Sequence, residues 1–372
     1  MSAPLDLMMI RGSNQAHIIF ENFKIPKDQV LGEVEGGAKV IFNGLNKGRA
    51  GFGASSAEAA RFMLESSLYR VTKREMFTAF GGKQSDLPQV KKYISKMATD
   101  ACSLREISDM TTALIQKYGD TMNIISECAA IKILATEGSW DTANYSMRLW
   151  GGTGTMRGHT GAMELTFRDS WIGIIVEGVN EAMKQLVTGV GVQGVKNDAD
   201  NIARHLYFPI KIFLSLGKQK KEESQKKKKK FVPDFWNSFI PSVFRLISGM
   251  LRFEAGNLSF MDALWLQFYT KIFSIKTAIL GLKYGNNMVV RQLELIRMSD
   301  ITMDLYSLAA VQIKLKNKGE EILPSEKGAL KLFVKITKKR IVGNLKELEI
   351  NNKSDIEEMK LADLWVEEYN SR

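Results

Sequence analysis

The sequence predicts a mainly α protein, in which a short remnant of a β-domain precedes a four-helix bundle and a second C-terminal helical domain follows it. Three observations lead there. Apolar residues recur at helical spacing through most of the chain, β-like material is confined to the opening, and a lysine-rich polar break separates two helical regions. The expected boundaries are 1–32 for the β remnant and 33–192 for the bundle. Residues 193–256 are expected to form a basic linker with an amphipathic segment, and 257–372 the second helical domain.

The opening carries two extended pieces, His17–Phe20 and Phe23–Pro26, punctuated by Pro26 and Gly32. Two strands cannot make a stable sheet alone, so this stretch is expected to lean on other surface. After Gly36-Gly37, Val40, Ile41, Leu45, Phe52, Ala57, Ala60 and Leu64 predict a helix over Ala38–Lys73, interrupted near Gly48 and Gly51. A second helix is expected over Leu87–Tyr118, with Pro88 in its first turn, and a third over Thr121–Trp150, ended by Gly151-Gly152. A fourth starts after Glu177, at Val179–Val190, which completes a bundle by count and connection length. Further helices are expected near Ser259–Lys283, Asn287–Lys316, Ser325–Leu345 and Asp355–Asn370.

Charge narrows the function classes. Of the net +11, Lys218–Lys230 supplies six, with eight lysines against two glutamates, so the basicity is local and does not predict nucleic-acid binding. The aromatic-rich stretch beyond it, up to Leu251, makes Lys218–Leu251 a candidate peripheral membrane contact; an ordinary linker followed by a core helix fits the same residues. No run of eighteen apolar residues occurs, so no spanning helix is expected. Only Cys102 and Cys128 are present, which excludes a disulfide framework. The three histidines, His17, His159 and His205, are too scattered to nominate a metal site. No leader is expected in MSAPLDLMMI, where the first arginine comes only at Arg11.

The chemistry is concentrated in Glu164–Val190. There the apolar run Ile172–Val176 reads as a β-to-helix corner delivering one carboxylate, Glu177, followed at once by Gly178. A carboxylate against an apolar wall has its ionised form disfavoured, which suits a general base working near neutral pH. On spacing alone, a surface carboxylate in the first turn of a helix fits better.

FRDSWIGIIVEGVNE resembles the acyl-CoA dehydrogenase segment R-D-x-x-I-x-x-I-x-E-G-T-[NS]-[EDQ], and LWGGTGTM resembles the Q-[IL]-[LM]-G-G-x-G-[FYW] that precedes it in that family. The opening, through LNKGRAGFG, resembles the join between the family's β-domain and its C-terminal helical domain. A helical region beyond residue 190 is similar to the very-long-chain branch. The resemblance implies FAD as cofactor, a long-chain acyl-CoA as substrate, electron-transfer flavoprotein as partner, a homodimer, and the matrix face of the mitochondrial inner membrane. It makes Glu177 the base that removes the α-proton, with Asn46, Arg49 and Gly178 on the substrate side. Arg74, Phe77, Arg148, Gly151, Gly152, Val179, Asn180 and Glu181 are implied on the cofactor side.

The departures are specific. Asn46 stands where the family commonly has Asp, Arg148 replaces a Gln, and Val179 replaces a Thr, each altering cofactor or substrate contacts. The family's flavin-wrapping Y-x-x-T-E and W-I-[TS] do not occur in these 372 residues. A reduced or fragmentary dehydrogenase is one expectation. A non-catalytic scaffold of the same family, of the kind that assembles respiratory complex I, is the other.

Overall fold

A computed structural model describes residues 3–76, 82–118, 124–158, 163–191, 258–317, 321–349 and 352–370. Phe77, His159, His205 and the Lys218–Leu251 segment lie outside the described residues. The chain divides into two compact units: Met1–Leu186 with Lys318–Lys335, and Val187–Asn317 with Ile336–Arg372.

The first unit is built on three long helices, α1 (Gly37–Lys73), α2 (Pro88–Tyr118) and α3 (Ile125–Trp150), each packed on the other two. On α1, Ala57, Ala60, Leu64, Ser67 and Val71 recur every three or four residues and are buried, which is the stripe a bundle helix presents to its neighbours. On α2 the buried stripe is Val90, Met97, Ala101, Leu104 and Ile107. Helix α3 differs: Cys128 through Ile133 are consecutive and all buried, so it is enclosed on every side and forms the axis of the unit. Full burial of side chains such as Met63, Met97, Ile107 and Ile131 contributes roughly 1.5–3 kcal/mol each.

Close approach of α1 to α3 depends on a missing side chain. A Cβ at Gly53 would lie 3.0 Å from the Ile131 side chain and 3.1 Å from its backbone. Helix α1 runs unbroken through Gly48 and Gly51, against the expected interruption. Each mid-helix glycine weakens a helix by about 1 kcal/mol relative to Ala, and packing over the rest of this length outweighs that.

Helix α3 ends at Gly151, whose φ of +59° places it in the left-handed region that glycine enters freely. Short helices α4 (Met163–Ser170) and α5 (Ile172–Ile175) follow, and then α6 (Asn180–Gly191). The Ile172–Val176 run is therefore a helical turn ending in one extended residue, not a strand. An apolar run of this length does not by itself choose between the two, and here its backbone hydrogen bonds close locally, as with Val176 N–H to Ile172 O at 2.8 Å.

The two expected strands of the opening are absent as well. Among the described residues before α1 the only regular element is a 3-10 turn, Lys27–Gln29, and Ile18, Ile19, Phe20, Phe23 and Ile25 are all exposed. A strand needs a ladder partner, and none of the described residues supplies one. What ties this stretch down is polar: Ile10 N–H donates to Asp169 Oδ1 at 2.9 Å, and Arg168 Nη1 donates to Met8 O at 2.8 Å.

The second unit contains α7 (Phe260–Tyr284), α8 (Gln292–Asn317), the part of α9 (Pro324–Glu347) beyond Lys335, and α10 (Lys353–Asn370). Starts and stops follow local chemistry. Ser259 caps α7 by accepting from Asp262 N–H, and Gly285 at φ +51° ends it. Pro324 opens α9. Charged pairs link the helices: Arg297 is bidentate to Asp355, Arg340 pairs with Asp304, and Lys338 reaches Asp262 at 2.9 Å. No described helix is long and apolar enough to cross a membrane, and the described residues hold no cluster able to bind a metal.

Candidate active site

Between α5 and α6 the backbone makes a tight corner. Val176 is extended, Glu177 has φ +59°, Gly178 has φ +105°, and α6 begins at Asn180. Glycine tolerates this freely, whereas for Glu177 the left-handed conformation costs about 1–3 kcal/mol and persists only where the surroundings over-determine it. Gly178 has a second reason to be glycine. A Cβ there would sit 2.7 Å from the Met183 sulfur.

Two cations from two different helices hold the corner. From α1, Arg49 Nε donates to the carbonyl of Glu177 at 3.0 Å. From α3, Lys132 Nζ donates to the carbonyl of Gly178 and to Asn180 Oδ1, both at 2.7 Å, and lies 3.5 Å from the carbonyl of Ile174. Arg49 is 5% exposed and also donates from Nη1 to Asn46 Oδ1 at 3.2 Å, so it faces inward and shapes the corner. Burial lowers the pKa of Arg49, opposed by the Glu177 carboxylate.

The Glu177 carboxylate lies against α1 at Gly48. A Cβ on that glycine would be 3.2 Å from each carboxylate oxygen, so a residue with a side chain would press on the group. Glu177 Oε2 is buried and has no hydrogen-bond partner among the described residues. A buried acceptor of this kind is left with its desolvation penalty unless a bound group donates to it.

Glu177, Gly178, Asn46, Arg49 and Asn180 are thus brought together. Val179, 43% exposed, and Glu181, also exposed, stand beside them at the start of α6. Sequence reasoning missed four residues of the corner: Gly48, Lys132, Thr136 and Glu137. Lys132 is 0% exposed, and burial is the first cause that pushes its pKa down to about 8. It was legible as the one charge inside the apolar run Ala129–Ala135, a place where a lysine without a task is rare.

The remaining predicted residues gather elsewhere, at the end of α3. Arg148 is exposed and lies 5.9 Å from the ring centroids of both Tyr93 and Tyr145, a cation–π geometry. Gly151 and Gly152 are exposed with open space where a Cβ would be. Arg74 is exposed at the start of a hairpin bridged from Glu75 to Lys83, and the hairpin is tied to α3 by Gln84 Nε2 donating to Leu149 O at 3.0 Å. Exposed guanidiniums of this kind can hold phosphate oxygens. Lys132 and Arg148 stand sixteen residues apart on α3, which at the helical rise is about 24 Å along its axis. The carboxylate corner and this basic edge are separate places on one chain.

The Glu177 corner and the glycine edge both lie in a stretch for which comparison with known proteins finds relatives. Residues 35–190 match the model of the acyl-CoA dehydrogenase C-terminal domain, and this stretch belongs to that family. The very-long-chain specific acyl-CoA dehydrogenase, mitochondrial, of Rattus norvegicus is similar at 26% identity over 323 residues, 87% of this chain and 46% of that protein. Acryloyl-CoA reductase (NADH) of Anaerotignum propionicum is 29% identical over 180 residues, 48% of this chain and 44% of that protein. The chain spans about half the length of the curated relatives it matches. Among solved structures, an acyl-CoA dehydrogenase complexed with FAD from Bacillus anthracis shares the fold. Its TM-score is 0.70 at 21% identity, covering 98% of this chain and 59% of that one.

Proposed function

We propose that the chain supplies the proton-abstracting part of an FAD-dependent acyl-CoA dehydrogenase acting on long-chain acyl-CoA, with Glu177 as the base. The observation that carries this reading is the Glu177 carboxylate held by a left-handed corner against Gly48, its buried Oε2 without a partner among the described residues. Removing an α-proton from a thioester is hard because the carbon is weakly acidic, so the base must be positioned and the carbonyl oxygen must receive hydrogen bonds as charge grows on it. In this reading Glu177 takes the proton, and its own N–H donates to the thioester oxygen. Asn46, Arg49 and Gly178 shape the wall against which the acyl chain lies.

FAD, when bound, supplies acceptance of the hydride from the β-carbon. Arg74 and Arg148 would meet its phosphates, Gly151 and Gly152 would let it approach closely, and Val179, Asn180 and Glu181 would flank it. Phe77 belongs to the same proposal by resemblance. The relatives named as very-long-chain specific support the long-chain substrate. Electron-transfer flavoprotein as acceptor, the matrix face of the inner membrane and a membrane contact through Lys218–Leu251 complete the reading. Liposome flotation with and without that segment tests the membrane contact.

E177Q decides the reading. The amide keeps the shape and removes the base, so palmitoyl-CoA oxidation is expected to fall by roughly 100- to 10,000-fold, with flavin content unchanged. Activity retained in E177Q overturns the assignment. A wild-type chain that takes up no flavin at all leaves the scaffold reading in its place.

A further inference from the structure

We propose that Lys132 is a positioning residue for the Glu177 corner, holding the base in its left-handed conformation through a buried ammonium clamp. The proposal rests on the reading of Glu177 as the base. Consecutive carbonyls, those of Glu177 and Gly178, are each gripped by a cation from a different helix: Arg49 from α1 and Lys132 from α3. A peptide unit turns as a rigid plane, so holding both oxygens leaves the backbone between them little freedom.

The clamp extends into α6. Asn180 Oδ1 accepts from Lys132, while its Nδ2 donates to Thr136 Oγ1 at 3.1 Å and to Glu137 Oε1 at 2.9 Å. Thr136 in turn donates to Lys132 O at 2.8 Å. The first residue of α6 is therefore pinned to α3 at both ends of its amide, which sets where the helix begins and hence how few residues must make the turn. The charged groups that act on Lys132 come from every side: Glu137 on α3, Arg49 on α1, Glu177 in the corner and Glu181 on α6. A methionine would fill the same volume without desolvating a charge. The ammonium instead donates to Gly178 O and Asn180 Oδ1 and lies 3.5 Å from Ile174 O, contacts a methionine cannot make.

The test is backbone amide exchange in the full chain carrying K132M or K132R. K132M is expected to speed exchange over residues 172–183 by at least about tenfold, the scale of losing charge-assisted bonds, while the amides of α2 keep their rates. K132R, which retains a cation, is expected to recover most of the protection. In the flavin-loaded enzyme K132M is expected to lower kcat by about the same factor, with KM for palmitoyl-CoA within twofold. Exchange over 172–183 within twofold of wild type overturns the proposal, and so does an equal rise in α2, which would make Lys132 a general stabiliser. If K132M does not fold, K132M/E137Q, which also removes the facing carboxylate, provides the same comparison. Full activity in E177Q removes the role for Lys132 along with that of Glu177; activity lost in E177Q beside unchanged exchange in K132M removes that of Lys132 alone.

Discussion

Among the described residues, Lys132 has a side chain whose chemistry departs far from that of a free lysine. Its pKa is about 8 in the folded chain against the ordinary 10.5, because burial disfavours the ammonium. Below about pH 8 both folded and unfolded chains carry the proton. Between about 8 and 10.5 the unfolded chain binds more, so this group makes stability rise with pH across that window. Cys128 and Cys102 act in the opposite sense, since burial holds both thiols up to about 11 and the folded chain then keeps protons the unfolded one releases. The contribution of Lys132 is therefore read as a difference: denaturant unfolding of wild type minus K132M is expected to slope upward from pH 8 to 10.5. A flat difference would count against a buried ammonium. At this scale the sequence showed Glu177 and Gly178 as an acidic residue and a glycine at the end of an apolar run. It did not show Gly48 as the surface that receives the carboxylate, because a glycine within a helix looks like a weak point until something is seen against it.

The helices themselves were legible because a 3.6-residue period in apolar residues is written locally. Expected and observed limits of the long helices agree within a few residues, as for Ala38–Lys73 against Gly37–Lys73. The misreadings come where local pattern is weakest. His17–Phe20 has the composition of a strand and lies exposed without one, since a strand is made by its neighbour. Gly48 and Gly51 have the look of breaks in the sequence, and α1 passes straight through both. The glycines of α1 make opposite predictions. G53A pushes a methyl into Ile131, backbone included, and is expected to lower stability by about 1–3 kcal/mol. G51A meets nothing within 4 Å and is expected to raise it by about 0.5–1 kcal/mol. Thermal unfolding midpoints of the two variants, shifted in opposite directions, check the packing of α1 on α3.

On the scale of the whole molecule, the separation of the carboxylate corner from the basic glycine edge has a consequence. With about 24 Å of α3 between Lys132 and Arg148, the proposed reading, in which flavin meets Glu177 and its phosphates meet Arg148, predicts two copies of the chain, each lending its edge to the other's corner. Flavin affinity is then linked to association, and it is expected to rise with protein concentration through the dimerisation range. R148E is expected to weaken flavin uptake while leaving amide exchange in 172–183 unaltered. Sedimentation with and without FAD measures the first, and flavin absorbance of the purified variant the second. Flavin bound with equal affinity by a dilute monomer would remove the two-copy arrangement.

Read alone, the amino-acid order shows that the protein is helical, where its long helices run, and that Glu177 stands in a motif resembling that of the acyl-CoA dehydrogenases. These are properties of neighbours within a turn or two, and local spacing records them. What surrounds Glu177 is set by how distant helices pack. Arg49 and Glu177 lie 128 residues apart in sequence, and Lys132 and Gly178 lie 46 apart. Periodicity reports that a helix face is buried; it does not say which face of which helix it meets, and it is that meeting which turns an arginine and a lysine inward.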